Sequence, residues 1–323
     1  MRTRRQQTSS DPVQQPQHRS PLNVEHSTGH TPVLLHESLE LLRIQSEDVV
    51  LDATLGGAGH ARAIVDRLGE KGTFIGVDAD MEAVARSREM LKGARAKVIL
   101  IEGNFRDVES YLGKHGIPYL TKALFDLGWS IDQLSAGRGF SFLSDEPLLM
   151  TFSGTIRGDT LTAGKIVNTW EEESIADILY GWGEEKFSRR IARAIVEARR
   201  QKEIRTSKEL GAIVQAAVPA FYRRGRIHPA TKTFQALRIA VNDEIGALKQ
   251  GMQSAWKSLR PRGRLACIAF HSVEDRVIKQ TMREWSHSGQ GVLVTKKPIR
   301  PTRGEILGNP RSRSAKLRCI RKL

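Results

Sequence analysis

The sequence predicts an α/β fold: an open parallel sheet covered by helices on both faces, with a helical segment inserted into it. Three observations predict it. Short β-branched runs alternate with stretches of helical spacing from residue 49 to residue 127, the pattern of a parallel sheet buried on both faces. A glycine-rich loop, Gly56-Gly57-Ala58-Gly59, stands at the first strand–helix junction, where such sheets bind nucleotides. The alternation stops near residue 136 and resumes after residue 230, so the chain leaves the sheet and returns to it.

The elements follow in order. Residues 1–29 are rich in Gln, Ser, Pro and His, lack the apolar core of a secretory signal, and read as a disordered tail. Residues 49–53 (VVLDA) form the first strand, and Ala61–Leu68 has helical spacing. Strand two runs through 73–80, a helix through 81–92, strand three through 97–101, a short helical stretch through 107–114 and strand four through 123–127. Residues 136–165 read as loop. A helix is predicted from Asn168, with Asn168 or Thr169 as its cap and Glu171, Glu172 and Glu173 near its positive end. The next helix buries Phe187, Ile191, Ala194 and Ile195 and presents Arg189, Arg190, Arg193, Arg199 and Arg200 elsewhere. A third opens on Thr206-Ser207-Lys208-Glu209, a capping box. One long helix through Phe234, Leu237, Val241, Ile245 and Leu248 is predicted to end near Leu259. Strand five (264–270), a helix near 273–285 and two strand-like runs (291–295 and 315–323) close the chain. The boundaries that follow are 30–137 with 229–323 for the sheet domain and 138–228 for a helical insertion.

Charge is segregated. The net charge is +15 over 323 residues. Residues 185–240 carry 14 Lys and Arg against 4 acids, and residues 296–323 carry 10 against 1, so these two segments hold +19 and the rest of the chain −4. Such an imbalance fits a polyanion partner better than a merely solvated face. With a mean hydropathy of −0.37 and no long apolar run, nothing is expected to span a membrane. The two cysteines, Cys267 and Cys319, lie in apolar runs and read as buried, reduced thiols, which points to the cytoplasm. No Cys/His cluster has zinc spacing, so no metal site is expected.

The loop DATLGGAGH (52–60) and an acid ending strand two, Asp78, suit a nucleotide: the glycines admit close backbone approach, and the acid can accept both ribose hydroxyl protons. The pattern serves NAD as well as S-adenosylmethionine, but the spacing is not G-x-G-x-x-G, which counts against NAD. Phe105, after strand three, offers an aromatic face to an adenine, with a purely structural role as the alternative. Asp126 ends strand four in DLGWSIDQ (126–133). His271 follows strand five and reads as a hydrogen-bonding residue that fixes its loop. Glu274, Asp275 and Arg276 read as a helix start and an internal salt bridge. The run Leu259-Arg260-Pro261-Arg262-Gly263-Arg264-Leu265 resembles the L-x-P-x-G-x-L turn common in class I methyltransferases.

Seven segments, HTPVLLHESLELL (30–42), DATLGGAGH (52–60), RGFSF (138–142), GEEKFSRRIARAI (183–195), HPATKTFQALRIAVN (228–242), FHSVEDR (270–276) and NPRSRSAKLR (309–318), together resemble the RsmH/MraW family. The resemblance implies a class I S-adenosylmethionine-dependent methyltransferase, with a Rossmann-like doubly wound sheet and an inserted helical domain. It implies N4-methylation of a cytidine in the decoding region of small-subunit ribosomal RNA, cytidine 1402 of the 16S molecule. The implied donor-binding residues are Ala58, Gly59, His60, Asp78, Phe105, Asp126 and Gln133, with Asp126 also catalytic. Trp129, His271, Arg189, Arg193 and Arg238 are the candidate contacts to RNA. The partner is the RNA or the assembled small subunit, and a homodimer is among the oligomeric states left open.

Departures from the family pattern cluster. Ala58 replaces a usual glycine, a change that is harmless where the local φ is negative. Trp129 and Ile131 replace a small aliphatic residue and a serine in D-L-G-V-S-S-x-Q. Pro147-Leu148-Leu149-Met150-Thr151-Phe152 lacks the acid and arginine of P-L-D-M-R-M. A divergent branch that keeps the reaction accounts for these changes. The alternatives are a ribosome-assembly factor with reduced catalysis on the same fold, a nucleotide-dependent oxidoreductase, and a DNA N4-cytosine methyltransferase, whose usual Pro-Pro turn after strand four is absent.

Overall fold

The computed structural model describes residues 31–128, 137–152 and 157–323. Seven strands, β1 (Val49–Asp52), β2 (Thr73–Asp78), β3 (Lys97–Glu102), β4 (Leu120–Asp126), β5 (Leu259–Ala269), β6 (Gly291–Leu293) and β7 (Lys316–Lys322), form one sheet in the spatial order β3-β2-β1-β4-β5-β7-β6. The first five run parallel, and β7 is inserted antiparallel between β5 and β6.

Successive residues of each strand serve opposite faces. Leu51, Ile75 and Phe125 pack with Leu248, Met252 and Trp256 of helix Glu244–Ser258 and with Ile278, Met282 and Trp285 of helix Ser272–His287. Trp256 and Trp285 stack at 4.3 Å, locking those two helices together. Val50, Phe74 and Leu124 pack on the other face with Leu39 and Leu42 of helix Leu35–Leu42, Ile64 of helix Gly59–Val65 and Val84 of helix Met81–Met90. The result is three layers, the architecture of a class I methyltransferase.

Between β4 and β5 the chain builds a separate apolar core that runs from Phe140 to Ala240. It is formed by helices Ala163–Thr169, Glu172–Gly181, Ser188–Gln201, Ser207–Ala217 and Ala230–Asn242. Thr206 and Glu209 close the expected capping box. Two expectations are corrected here. The helix read from Asn168 is instead two helices. Thr162 caps the first by accepting the Lys165 N–H, while Asn168 bridges to Gly164 O and Ile204. The long helix ending near Leu259 is also two, broken at Asp243, whose φ is +46°. Asn242 turns its side chain to Met150 O and Phe152 N–H, and Asp243 accepts the Arg106 guanidinium, so side-chain bonds hold the break. Cys267 and Cys319 are buried free thiols, as expected. Among the described residues no helix is long and apolar enough to cross a membrane.

Candidate active site

Three aspartates stand on the carboxyl edge of the sheet. Asp52 ends β1, Asp78 ends β2 and Asp126 ends β4. Chain order reverses across β1 and β4, which is where open α/β sheets leave a crevice for ligands.

Each carboxylate is engaged differently. Asp78 accepts the N–H of Gly56 and the N–H of Asp80, both at 2.9 Å, and so ties the loop after β1 to the loop after β2. Asp126 donates its own N–H to Thr54 Oγ1 at 2.8 Å. Its Oδ1 accepts the Gly128 N–H at 3.1 Å, and its Oδ2 lies 3.3 Å from His60 Nδ1. Asp52 is fully buried; its Oδ1 accepts the Thr54 N–H, while Oδ2 has no hydrogen-bond partner among the described residues. His60 Nε2 likewise closes no hydrogen bond of ordinary geometry there.

Electrostatics follow from this crowding. Burial pushes the Asp52 carboxyl up to about 7, against the pull of His60 and the Thr54 N–H. Burial alone would lower the His60 imidazole. The hydrogen bond and negative charge of Asp126, with the Asp52 carboxylate, outweigh that and hold the ring above its ordinary value. Burial also raises Asp78, against the two backbone N–H bonds that favour its charge.

A cavity of about 820 Å³ opens over these groups. Its floor is the loop 53–57 with Gly59 and His60, and its walls carry Asp78, Asn104, Phe105, Asp126, Leu248 and Phe152. Of the seven donor-binding residues implied above, five line it: Gly59, His60, Asp78, Phe105 and Asp126. Gln133 and Trp129 lie outside the described residues. Ala58 is fully buried in the core beneath, with φ +61°, so the condition of a negative φ is not met and the residue is held in the left-handed region. Phe105 lines the cavity and also packs edge-on against Phe125 at 5.7 Å, the structural role weighed for it.

Two glycines have packing reasons. A Cβ on Gly59 would lie 2.8 Å from Pro32 Cγ, and one on Gly128 would lie 2.9 Å from the Phe270 ring. Gly128 therefore admits Phe270.

The candidate RNA contacts are dispersed. His271 caps helix Ser272–His287: its Nδ1 accepts the Glu274 N–H, and Glu274 Oε2 accepts the N–H of Phe270 and of His271. This is the loop-fixing role read from the sequence, and Asp275 pairs with Lys316 and Arg318 as the expected internal salt bridge. Arg238 gives Nε and Nη2 to Glu244 at 2.6 and 2.7 Å. Glu244, His271 and Glu274 bring ligand-type atoms within 4.8 Å of one another, and Arg238 Nη2 lies 3.4 Å from His271 Nε2, so the chain supplies its own positive charge there. Arg189 and Arg193 are exposed on helix Ser188–Gln201 and do not line the cavity, and Arg193 faces Glu172 at 3.5 Å.

Sequence reasoning missed Thr54, Asp52, Glu244, Phe152 and the turn 308–311, all of which support or line the cavity. The segment NPRSRSAKLR was a motif match without an assigned place, and the structure puts its first residues on the cavity wall.

A profile of the MraW methylase family matches residues 27–323. The chain belongs to the MraW methylase family. It is 43% identical over 310 residues to the ribosomal RNA small subunit methyltransferase H of Symbiobacterium thermophilum, covering 91% of this chain and 96% of that one. It is 44% identical over 312 residues to the protein of the same name from Acetivibrio thermocellus, covering 91% and 99%. Among solved structures it is similar to an rRNA methylase from Streptococcus thermophilus, with TM-score 0.43, 11% identity and coverage of 92% and 99%. That last likeness is too distant to carry an argument.

As an MraW-family methyltransferase, the chain uses S-adenosylmethionine, and its cavity fits that group. The Asp78 carboxylate keeps lone pairs for a ribose diol after its two backbone bonds. Phe105, Ala247 and Leu248 give an apolar wall suited to adenine, and Gly56 leaves open space where a Cβ would stand.

Proposed function

We propose that the chain methylates the exocyclic N4 amine of a cytidine in the decoding region of small-subunit ribosomal RNA, with S-adenosylmethionine as donor. The names of the relatives support the RNA class. The observation that carries the chemistry is the Asp126 carboxylate, which faces the cavity and is gripped from two sides by His60 and Gly128.

The amine of cytosine is a poor nucleophile because its lone pair is delocalised into the ring. A carboxylate that accepts one of its protons draws the nitrogen out of the ring plane and aims the lone pair. Each Asp126 oxygen has one engagement in the fold and a free lone pair for this. The bound donor supplies an electrophilic methyl group. The amine nitrogen forms the new bond to carbon as the methyl–sulfur bond breaks, and Asp126 accepts the proton that the nitrogen sheds. His60 keeps the carboxylate oriented throughout. Most of the acceleration comes from positioning and electrostatics rather than from a strong base. Asp78 and Phe105 hold the donor's ribose and adenine.

The target base must leave its stack to enter the cavity. The inserted helices, with Arg189 and Arg193 exposed, and the basic carboxyl-terminal segment supply the surface that holds the strand. The test is transfer of labelled methyl to small ribosomal subunits, followed by nucleoside mass spectrometry. The expected product is N4-methylated cytidine. Label on another atom, or binding without transfer, refutes the reading.

A further inference from the structure

We propose that a second cavity, beside the first and bounded by Phe270, His271, Ser272, Arg300, Arg313 and Lys316, holds a phosphodiester of the RNA strand next to the target nucleotide. The proposal rests on the reading that the substrate is RNA.

This cavity measures about 330 Å³ and shares two walls, Phe270 and Ser314, with the donor cavity. The two cavities are thus neighbours, as a base and the phosphodiester of its own strand are within one nucleotide. The dividing ridge is the turn Pro310–Ser314. It is anchored from below: Ser312 is fully buried and donates to Asn309 O at 2.8 Å, and Asn309 donates to Thr31 O at 3.0 Å. Arg311 consequently lines the donor cavity and Arg313 lines the second one, on the two sides of a fixed ridge.

The charge balance selects an anion. Among the described residues no acidic side chain lines the second cavity. The acids nearby are already committed. Asp275 holds Lys316 at 3.1 Å and Arg318 at 2.7 Å, Glu274 closes the capping box, and Glu184 accepts from Ser272 and Arg276. Arg300 and Arg313 both line this cavity and are exposed, and neither has an ion-pair or hydrogen-bond partner among the described residues, so their donors are free for an anion. Helix Ser272–His287, 16 residues long, also opens at this cavity and adds its positive end. A phosphodiester rather than a small free phosphate is favoured by position, because the cavity lies within the segment of residues 296–323 that carries +9 and beside the donor cavity that the base must enter.

The test compares the double variant R300Q/R313Q with K71Q/R95Q, which removes the same charge at the opposite edge of the sheet, before β2 and β3. Methyl transfer to small subunits is measured over a series of salt concentrations, and S-adenosylhomocysteine affinity by calorimetry. The expected result for R300Q/R313Q is a KM raised roughly tenfold near physiological salt, and a slope of log KM against log salt reduced by about 1.4, two contacts at about 0.7 each. Its kcat and S-adenosylhomocysteine affinity stay at the wild-type level, and K71Q/R95Q matches wild type throughout. Wild-type transfer with an unchanged KM and salt slope in R300Q/R313Q, or equal changes in both variants, overturns the site alone. A wild-type protein that transfers no methyl to small subunits overturns the substrate reading, and the site with it.

Discussion

Replacing Asp52 by Asn removes a buried charge without changing shape, and its effect can be worked out in advance. Asp52 is fully buried, and burial raises its carboxyl from 3.8 to about 7. Between those two values the folded protein holds a proton that the unfolded chain has lost. Stability from this group is therefore complete below the unfolded value, falls as pH rises across the window, and is flat above about 7. Going from about pH 5 to about pH 8, roughly two pH units lie inside the window, at a little over 1 kcal/mol each, so the wild type loses on the order of 2–3 kcal/mol from Asp52. Asn has no proton to lose. It keeps an acceptor for the Thr54 N–H but buries an amide that lacks a sure acceptor, a fixed cost of about 1–3 kcal/mol that does not vary with pH. His60 titrates with Asp52 as a coupled pair, and losing that coupling trims the change slightly. Urea unfolding of both proteins at the two pH values should show the difference, variant minus wild type, moving by about 2–3 kcal/mol in favour of the variant as pH rises. A movement under about 0.5 kcal/mol refutes the placement of a protonated, desolvated carboxyl at the end of β1.

Three further outcomes follow from contacts described above. Asp126→Ala should lower kcat by at least about a hundredfold with the fold intact by circular dichroism, and Asp126→Asn, which keeps one acceptor oxygen, should retain more activity than Ala; near-normal turnover of the Ala variant removes Asp126 from the reaction. Gly59→Ala should cost about 1–3 kcal/mol in urea unfolding, because the new methyl meets the Pro32 ring at 2.8 Å. Arg238→Ala should cost about 3–5 kcal/mol by leaving Glu244 largely buried and unpaired beside Glu274, and the double variant R238A/E244A should recover most of that loss; additive losses would show that the pair is not coupled.

The sheet was legible because buried parallel strands read as short apolar runs, and β1, β2 and β4 each break off on an aspartate that an apolar core would not accept. The glycine-rich loop that floors the cavity was legible too, since clustered glycines at a strand–helix turn mark close backbone approach. The helix break at Asp243 was not, because the 3.6-residue apolar period runs on through Val241, Ile245 and Leu248 while side-chain bonds from Asn242 and Asp243 cause the turn. Nor was the left-handed Ala58, since backbone sign is invisible where glycine is replaced. The turn 308–314 reaches the cavity through the closing of β7 against β5 and the Asn309–Thr31 bond, contacts between distant parts of the chain that no local pattern records. The His271–Glu274 capping box was readable in H-S-V-E, though a histidine is an uncommon cap.

The left-handed alanine shows how firmly the loop is built. A non-glycine residue in that region costs about 1–2 kcal/mol, so the surrounding bonds must over-determine the conformation. They do so from three sides. The Ala58 N–H donates to Leu55 O at 2.7 Å, the Ala58 carbonyl accepts the Arg62 N–H at 2.9 Å, and Asp78 holds the Gly56 N–H. The same wiring fixes the end of β4, since Thr54 of this loop accepts the Asp126 N–H and His60, just past it, faces the Asp126 carboxylate. One loop thus sets both the cavity floor and the orientation of the Asp126 carboxylate. A rigid floor of this kind tolerates a strained residue beneath it, because the strain is borne by backbone bonds of a residue that does not itself line the cavity.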